Sequence, residues 1–290
     1  MIRFSKYIWL YALISALVLV PGVYSLARYG LRPSIDFTGG AVLEFRLKSA
    51  PAASDIKETA ASLDIGVTDV SFRTGAYTVR MKATDEEKLA AFTTSLSDKY
   101  GSMDIIKKEI VGPVLGRELL VKAVIASFLA ICAILLYVAY AFANVRFGVS
   151  AVIAMIHDAL VMFGSFSLLG VFLGVEVDTL FVTAVLTTLS FSVHDTIVIF
   201  DRIREYRKRD TRGSFSDISD IALTETMGRS LVNSFTIIFM LTALVLFGGQ
   251  TIRWFAVALL IGTITGTYSS PFVATPILLL WDKFTKRKMK

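Results

Sequence analysis

Long apolar stretches alternate with short polar ones along most of this chain. Each long stretch approaches or exceeds the roughly 20 apolar residues that a helix needs to cross a lipid bilayer. The pattern therefore predicts six transmembrane helices, and the composition, with 54% hydrophobic residues and a mean hydropathy of +0.65, favours a polytopic membrane protein over a soluble one. The predicted spans cover residues 8–27, 119–142, 148–172, 179–200, 231–248 and 254–281.

The segment between the first two spans has the pattern of a folded domain outside the membrane. Residues 41–47 alternate between apolar and polar, as a half-buried strand does, and a helical stripe follows at 54–63. Two alternating runs that meet around Gly75 predict a hairpin, and another helix and strand complete the segment. The order β-α-β-β-α-β predicts a ferredoxin-like α+β domain.

These patterns divide the chain into three parts. We expect an N-terminal segment with the first span at 1–27, an extracytoplasmic domain at 28–117, and a five-helix transmembrane domain at 118–290. The last part includes a cytoplasmic loop at about 201–229 and a basic C-terminal tail.

Basic residues are unevenly distributed between the two sides of the predicted membrane. Arg253 is the only one in the short loops on the side opposite the termini, and the other short segments carry the rest. Because Lys and Arg are enriched in cytoplasmic loops, both termini are predicted to be cytoplasmic and residues 28–117 extracytoplasmic. The net charge of +6 thus follows from membrane topology and needs no nucleic-acid partner.

An ionisable pair, His194 and Asp195, interrupts the fourth predicted span near its cytoplasmic end. A charge at that depth costs about 2–3 kcal/mol even on insertion scales, so it faces protein or a wet cavity. Arg229, at the start of the fifth span, has a similar depth and is the predicted partner of Asp195. Burial disfavours the ionised carboxyl and a nearby cation favours it. The pair is therefore either a site that gains and loses a proton or a static contact between two spans.

Two further features lie inside other spans. His157 and Asp158 stand near the middle of the third span, where they form either a second proton-relay step or a locally satisfied pair that fixes helix packing. In the sixth span Gly262 and Gly266 have the G-x-x-x-G spacing that lets helices approach closely. Ser269 and Ser270 follow them, so this stretch is predicted to serve packing or subunit contact.

Four short motifs resemble, in order and spacing, those of the SecF family, the smaller subunits of the SecD–SecF accessory complex of bacterial protein export. They are SIDFTGG at 34–40, VGPVLGREL at 111–119, HDTIVIFDRIRE at 194–205 and GTYSSPFVA at 266–274. The resemblance extends from about residue 30 to 280, and His194 stands where the family usually has Asn. It implies motif or structural roles for Asp36, Phe37, Gly39, Gly40, Gly112, Pro113, Gly116, Asp201, Arg202 and Arg204.

The resemblance implies a protein-export function in the bacterial inner membrane, driven by the proton gradient, with Asp195, Arg229 and His194 in proton translocation. The implied partners are a SecD-like subunit, the channel subunits SecY, SecE and SecG with YidC and YajC as additional candidates, the translocating polypeptide and the lipid bilayer. No enzymatic activity, cofactor, metal or nucleic acid is expected.

Two alternatives belong to other classes. One is a proton-coupled small-molecule antiporter. The other is an intramembrane metallohydrolase that uses both His–Asp pairs as ligands, although adjacent helical residues point about 100° apart and do not easily converge on one ion.

Overall fold

A computed structural model describes residues 3–73, 75–82, 84–142, 144–209 and 213–288. In these ranges six helices are long and apolar enough to cross a membrane, which confirms the predicted number of spans. The helices are α1 (Ile8–Tyr29), α2 (Ile35–Thr38), α3 (Ala53–Ser62), α4 (Glu86–Tyr100), α5 (Pro113–Ala141), α6 (Val145–Leu173), α7 (Thr179–Arg209), α8 (Phe215–Phe247), α9 (Gln250–Ser269) and α10 (Thr275–Lys288). The strands are β1 (Gly40–Leu47), β2 (Val67–Arg73), β3 (Ala76–Met81) and β4 (Met103–Val111).

Clustering of contacts divides the chain into two compact units. The first is Pro33–Ile125, and the second, the membrane unit, contains the described residues before Pro33 and after Ile125.

The first unit is a four-stranded antiparallel sheet with the strand order β2-β3-β1-β4. The strand and helix order is β1-α3-β2-β3-α4-β4, so the predicted ferredoxin-like arrangement is confirmed. Alternation along β1 places Ala41, Leu43 and Phe45 in the core, where none of them is exposed. Apolar stripes of α3 and α4 cover that face. The fully buried residues that they contribute are Ile56, Ala60, Leu89, Phe92 and Leu96.

A pair of glycines connects α2 to β1 at a place where no side chain fits. Gly39 and Gly40 have φ values of +68° and +127°, in the region that residues with a Cβ rarely adopt. A Cβ on Gly40 would lie 2.6 Å from the carbonyl oxygen of Met81, and one on Gly39 would lie 2.7 Å from Cα of Pro113. Gly116 also leaves no space for a side chain, because a Cβ there would lie 2.7 Å from the Gly39 nitrogen.

The membrane unit has an inner and an outer set of helices. In α6, in α7 and in the span that begins at Gln250, half of the residues in the most apolar 18-residue stretch are buried. In α1 and in α8 only 11% of the residues in that stretch are buried. The core therefore lies between α6, α7 and α9. Helices α1 and α6 cross with their backbones almost in contact, because a Cβ on Gly164 would lie 2.7 Å from Cα of Gly22. Near this crossing the Ser25 and Ser167 hydroxyl oxygens are 2.8 Å apart.

Much of the loop predicted at 201–229 is helical. Helix α7 continues to Arg209, and α8 begins at Phe215, where the Ser214 hydroxyl accepts a hydrogen bond from the Asp217 amide at 3.1 Å. The early turns of α8 are helical because they bury an apolar stripe that includes Ile218 and Leu223. Residues 210–212 of the predicted loop and 289–290 of the predicted basic tail lie outside the described residues.

The last span is interrupted by a π-helical segment, Ser270–Ala274, between α9 and α10. Pro271 lies in this segment, and a proline inside a helix removes a backbone donor and crowds the preceding turn. Such π segments are frequent at functional sites.

Candidate functional site

Asp195 lies on α7, half-buried, and faces α8. The Ser230 hydroxyl donates a hydrogen bond to its Oδ1 at 2.7 Å. Its other oxygen, Oδ2, is buried and has no hydrogen-bond partner among the described residues. The Ser270 side chain of the π segment is close enough to influence the carboxyl without satisfying Oδ2. Asp195 is thus a membrane-depth carboxyl with one oxygen bound and one oxygen unsatisfied.

The two predicted neighbours of Asp195 are placed differently from expectation. His194 and Arg229 are both exposed, and across the described part of the chain no ion pair joins Arg229 to Asp195. Both side chains remain within electrostatic range of the carboxyl. The direct contact comes instead from Ser230, the residue after Arg229, because adjacent helical positions point about 100° apart. The predicted turn of α8 therefore faces Asp195, and within it the Ser230 hydroxyl, not the Arg229 guanidinium, makes the direct contact.

Asp158 lies on α6, only 2% exposed, and both of its oxygens are satisfied. His157 Nδ1 is 2.9 Å from Oδ1. The hydroxyls of Ser192 on α7 and Ser269 on α9 both donate to Oδ2, the second at 2.6 Å. The buried carboxyl therefore connects three helices of the inner set.

The second nitrogen of His157 begins a chain of hydroxyls that ends on α1. Nε2 is 3.2 Å from the Ser15 hydroxyl, and Ser15 is 3.3 Å from the Tyr268 hydroxyl. Tyr268 in turn donates to the backbone carbonyl of Tyr11 at 2.7 Å. Tyr268 lies in the motif at 266–274, but no sequence pattern pointed to Ser15 or to this contact, because the contact depends on how three helices are rotated about their axes.

Ser269 and Ser270 link the surroundings of the two carboxyls. Ser269 binds Asp158, whereas the Ser270 hydroxyl is 2.8 Å from that of Thr196, the residue after Asp195. The start of the π segment therefore places consecutive serines toward different carboxyls. The glycines before it allow close packing within the chain, since a Cβ on Gly262 would lie 2.5 Å from Thr188 and one on Gly266 would lie 2.9 Å from Ser192.

The charged residues that follow Asp195 form ion pairs at the end of α7. Arg202 binds Glu225 of α8 with two nitrogens, one of them at 2.9 Å. Arg204 donates to Asp201 at 3.0 Å and to the carbonyl of Ala141 at 3.1 Å. These contacts join α7 to α8 and to the end of α5. Within the residues that the structure describes, no three His, Cys, Asp or Glu side chains gather as metal ligands would.

Comparison with known families identifies the chain. The model of the C-terminal region of the protein export membrane proteins SecD and SecF matches residues 91–284, and that of the SecD/SecF GG motif matches residues 24–51. The protein translocase subunit SecF of Thermobaculum terrenum is 41% identical over 94% of this chain and 92% of its own length. The chain belongs to the SecF family. This confirms the resemblance carried by the four motifs, and Gly39 and Gly40 of the strained turn lie in the GG-motif region.

Other SecF subunits are similar over nearly their whole length. The Anaerolinea thermophila protein is 38% identical over 94% of this chain and 92% of its own, and the Synechocystis protein is 34% identical over 99% and 95%. Among solved structures, SecDF from Thermus thermophilus, described as a translocon-associated membrane protein, superposes with a TM-score of 0.85 at 26% identity. This SecF-family chain is covered to 97% in that comparison but spans only 39% of the SecDF chain. A super-membrane-facing form of SecDF gives a TM-score of 0.71.

Proposed function

We propose that this SecF-family protein works with a SecD-like subunit in the bacterial inner membrane to promote export of polypeptides, using the proton gradient through Asp195. The curated relatives are protein translocase subunits by name. The observation that carries the proton coupling is the unsatisfied Oδ2 of a half-buried carboxyl at membrane depth. An unsatisfied acceptor is costly in a low-dielectric environment, and taking up a proton removes the charge of the carboxyl.

A SecD-like partner is supported by the SecDF comparison, because the matching segment is only 39% of that chain. The translocon association described for SecDF supports contacts with the channel subunits SecY, SecE and SecG, and YidC and YajC are further candidates. The protein would then act on the translocating polypeptide as a transport subunit and not as a catalyst of a chemical reaction.

The proposed mechanism converts proton movement into a conformational bias. One charge that crosses 100 mV supplies about 2.3 kcal/mol, which shifts an equilibrium between two conformations of similar free energy. Asp195 holds the proton, Ser230 fixes one carboxyl oxygen, and Arg229, the residue before Ser230, is the basic residue of the site. His194 lies at the same exposed edge and is the third residue of the proposed site. The ferredoxin-like domain, continuous with α1 in the chain, would capture emerging polypeptide and prevent it from sliding back.

Replacement of Asp195 by Asn tests this function. Asn keeps the size and most of the hydrogen bonding but does not ionise, so we expect normal assembly and loss of gradient-dependent stimulation. The measurement is export of a secreted reporter into membrane vesicles with and without a proton gradient. Asp201→Asn is the matched control on the same helix, because Asp201 is exposed and contacts only Arg204 in the described structure. Asp195→Glu should retain partial stimulation. Full stimulation by an assembled Asp195→Asn variant would contradict the proposal.

The orientation in the membrane is part of the proposal, with both termini cytoplasmic and residues 28–117 extracytoplasmic. Ser54 and Ser214 are both exposed and lie on opposite sides in this topology. Single cysteines at these positions, in a Cys132→Ala background, should react with an impermeant reagent from opposite sides of the membrane. Reaction of both cysteines from one side would refute the topology.

A further inference from the structure

The hydroxyl chain beside His157 restricts where its hydrogens lie. Tyr268 has one hydroxyl hydrogen, and it is used at the Tyr11 carbonyl, which accepts and never donates. Ser15 must therefore supply the hydrogen in its contact with Tyr268. Once its own hydrogen is used, the Ser15 oxygen acts toward His157 only as an acceptor. In the arrangement that gives each contact of this chain a hydrogen, Nε2 of His157 carries one.

The other ring nitrogen of His157, Nδ1, faces the Asp158 carboxyl. The contact between Nδ1 and Asp158 Oδ1 at 2.9 Å also needs a hydrogen. That hydrogen lies either on Nδ1, giving an imidazolium beside a carboxylate, or on Oδ1, giving a neutral imidazole beside a carboxylic acid. In both cases the net charge of the pair is zero. Ser192 and Ser269 donate to Oδ2 in either arrangement.

We infer that His157 and Asp158 form a proton-binding site that holds its proton in this conformation. We also infer that this proton decides in which direction the Ser15 and Tyr268 hydroxyls donate their hydrogen bonds. The site deepens the proposed function by adding a second proton carrier, although its protonation is measurable without any export activity. It is geometrically distinct from the Asp195 site, since it has no unsatisfied oxygen and lies among α1, α6, α7 and α9.

Release of the proton has a defined structural result. The proton leaves Nε2 for water, and the hydrogen between Nδ1 and Oδ1 remains on Nδ1 of a neutral imidazole beside a carboxylate. The bare Nε2 is then an acceptor, so the Ser15 hydroxyl turns from Tyr268 toward His157. The Tyr268 hydroxyl turns from the Tyr11 carbonyl toward Ser15. Loss of one proton thereby moves the hydrogen bond that Tyr268 of α9 donates to α1 from the Tyr11 carbonyl to the Ser15 hydroxyl.

The groups that face the pair come from each helix packed around it. Helix α9 provides Tyr268, whose ring lies 6.4 Å from that of His157, and α1 provides Tyr11. From α8, Asp220 acts electrostatically on Tyr11 while its oxygens accept hydrogen bonds from Ser5. From α7 the direct contact is the neutral Ser192, with Asp195 about one turn beyond it.

The test is nitrogen-15 NMR of histidine in the full-length protein reconstituted in lipid. The chain has two histidines, so a His194→Asn background leaves the His157 signals alone. At neutral pH we expect Nε2 to resonate as a protonated nitrogen, which both forms of the loaded pair require. A bare Nε2 together with a protonated Nδ1 would overturn the inference.

Tyr268→Phe tests the link to the hydroxyl chain. Without the Tyr268 hydroxyl, Ser15 no longer has to donate away from His157, so the Nε2 resonance should shift toward that of a bare nitrogen. Tyr24→Phe is the matched control, because Tyr24 lies on α1 but is 65% exposed. An unchanged Nε2 resonance in a folded Tyr268→Phe protein would show that the chain does not control the proton. A failed export assay with the expected resonances would instead contradict the proposed function and leave the proton site intact.

Discussion

Asp158 and Asp195 are both carboxyls at membrane depth, but their surroundings are opposite. Asp158 has hydrogen-bond contacts at both oxygens, with three side chains in all, and is 2% exposed, whereas Asp195 is half-buried and has one oxygen bound and one unsatisfied. A carboxyl with partners at both oxygens joins the helices that bind it, and a carboxyl with an unsatisfied oxygen is open to a new partner. Membrane depth alone therefore does not determine how a carboxyl is bound.

The difference follows from the helices around each residue. Asp158 lies where glycines allow α7 and α9 to approach, which brings the hydroxyls of Ser192 and Ser269 onto one oxygen. Asp195 faces α8, a helix of the outer set. Only 11% of the residues in the most apolar stretch of α8 are buried. Fewer side chains therefore converge on Asp195 than on Asp158.

Removal of the Asp158 carboxyl should destabilise the protein far more than removal of the Asp195 carboxyl. Asp158→Ala leaves His157, Ser192 and Ser269 without their acceptor in a buried site, so we expect the free energy of unfolding to fall by about 1–3 kcal/mol. Asp195→Ala loses the single hydrogen bond from Ser230, so the free energy of unfolding should fall by only about 0.6 kcal/mol. The measurement is denaturant unfolding of the purified protein in bilayers. Equal losses for the two variants would contradict the distinction.

An effect of similar size is expected from adding a methyl group to the interface between α7 and α9. Gly262→Ala places a Cβ 2.5 Å from Thr188, and such overpacking costs about 1–3 kcal/mol when neighbours must shift. Gly228→Ala is the matched control on α8, because a Cβ at that position has no atom within 4 Å. This substitution removes the destabilising effect of glycine within a helix, about 0.5–1 kcal/mol. The two substitutions should therefore shift the unfolding midpoint in opposite directions. A stable Gly262→Ala protein would mean that α7 and α9 pack less closely than described.

The smallest effect on stability should come from Ser230. Ser230→Ala removes the only hydrogen bond to Asp195 seen in the described structure, and such bonds within membranes average about 0.6 kcal/mol. Export should nevertheless lose part of its gradient dependence, because Ser230 holds the carboxyl that carries the proton. Ser214→Ala, which alters a hydroxyl at the exposed start of α8, is the comparison for export. Unchanged gradient dependence in Ser230→Ala would remove Ser230 from the proposed site.

Much of the fold could be predicted because it depends on local periodicity. Apolar runs of spanning length gave the six spans, and alternation at 41–47 gave the strand that carries Leu43 and Phe45 into the core. The early part of α8 was not predicted as helix because its residues are largely polar. It is helical because Ile218 and Leu223 pack into the membrane unit, and a sequence does not reveal the partner of such a stripe.

The candidate site was only partly predictable for a related reason. The depth of Asp195 and Arg229 follows from residue counting, but the contact with Ser230 depends on the rotation of α8 about its axis. That rotation is set by packing, and a change of one residue turns a side chain by about 100°. The hydroxyls that bind Asp158 come from positions 34 and 111 residues further along the chain, a separation over which periodicity carries no information.

The crossing of Gly22 and Gly164 determines where α1 is held against α6. Its outer half is held at the crossing and by Ser167, which donates to the carbonyl of Gly30 at 2.7 Å. Its inner half is held to α9 through the hydroxyl of Tyr268. The outer half of α1 is therefore held against α6 at two points one or two turns apart. Replacement of Gly22 by alanine would place a Cβ 3.1 Å from Cα of Gly164, which would force the two helices apart at the first of these points.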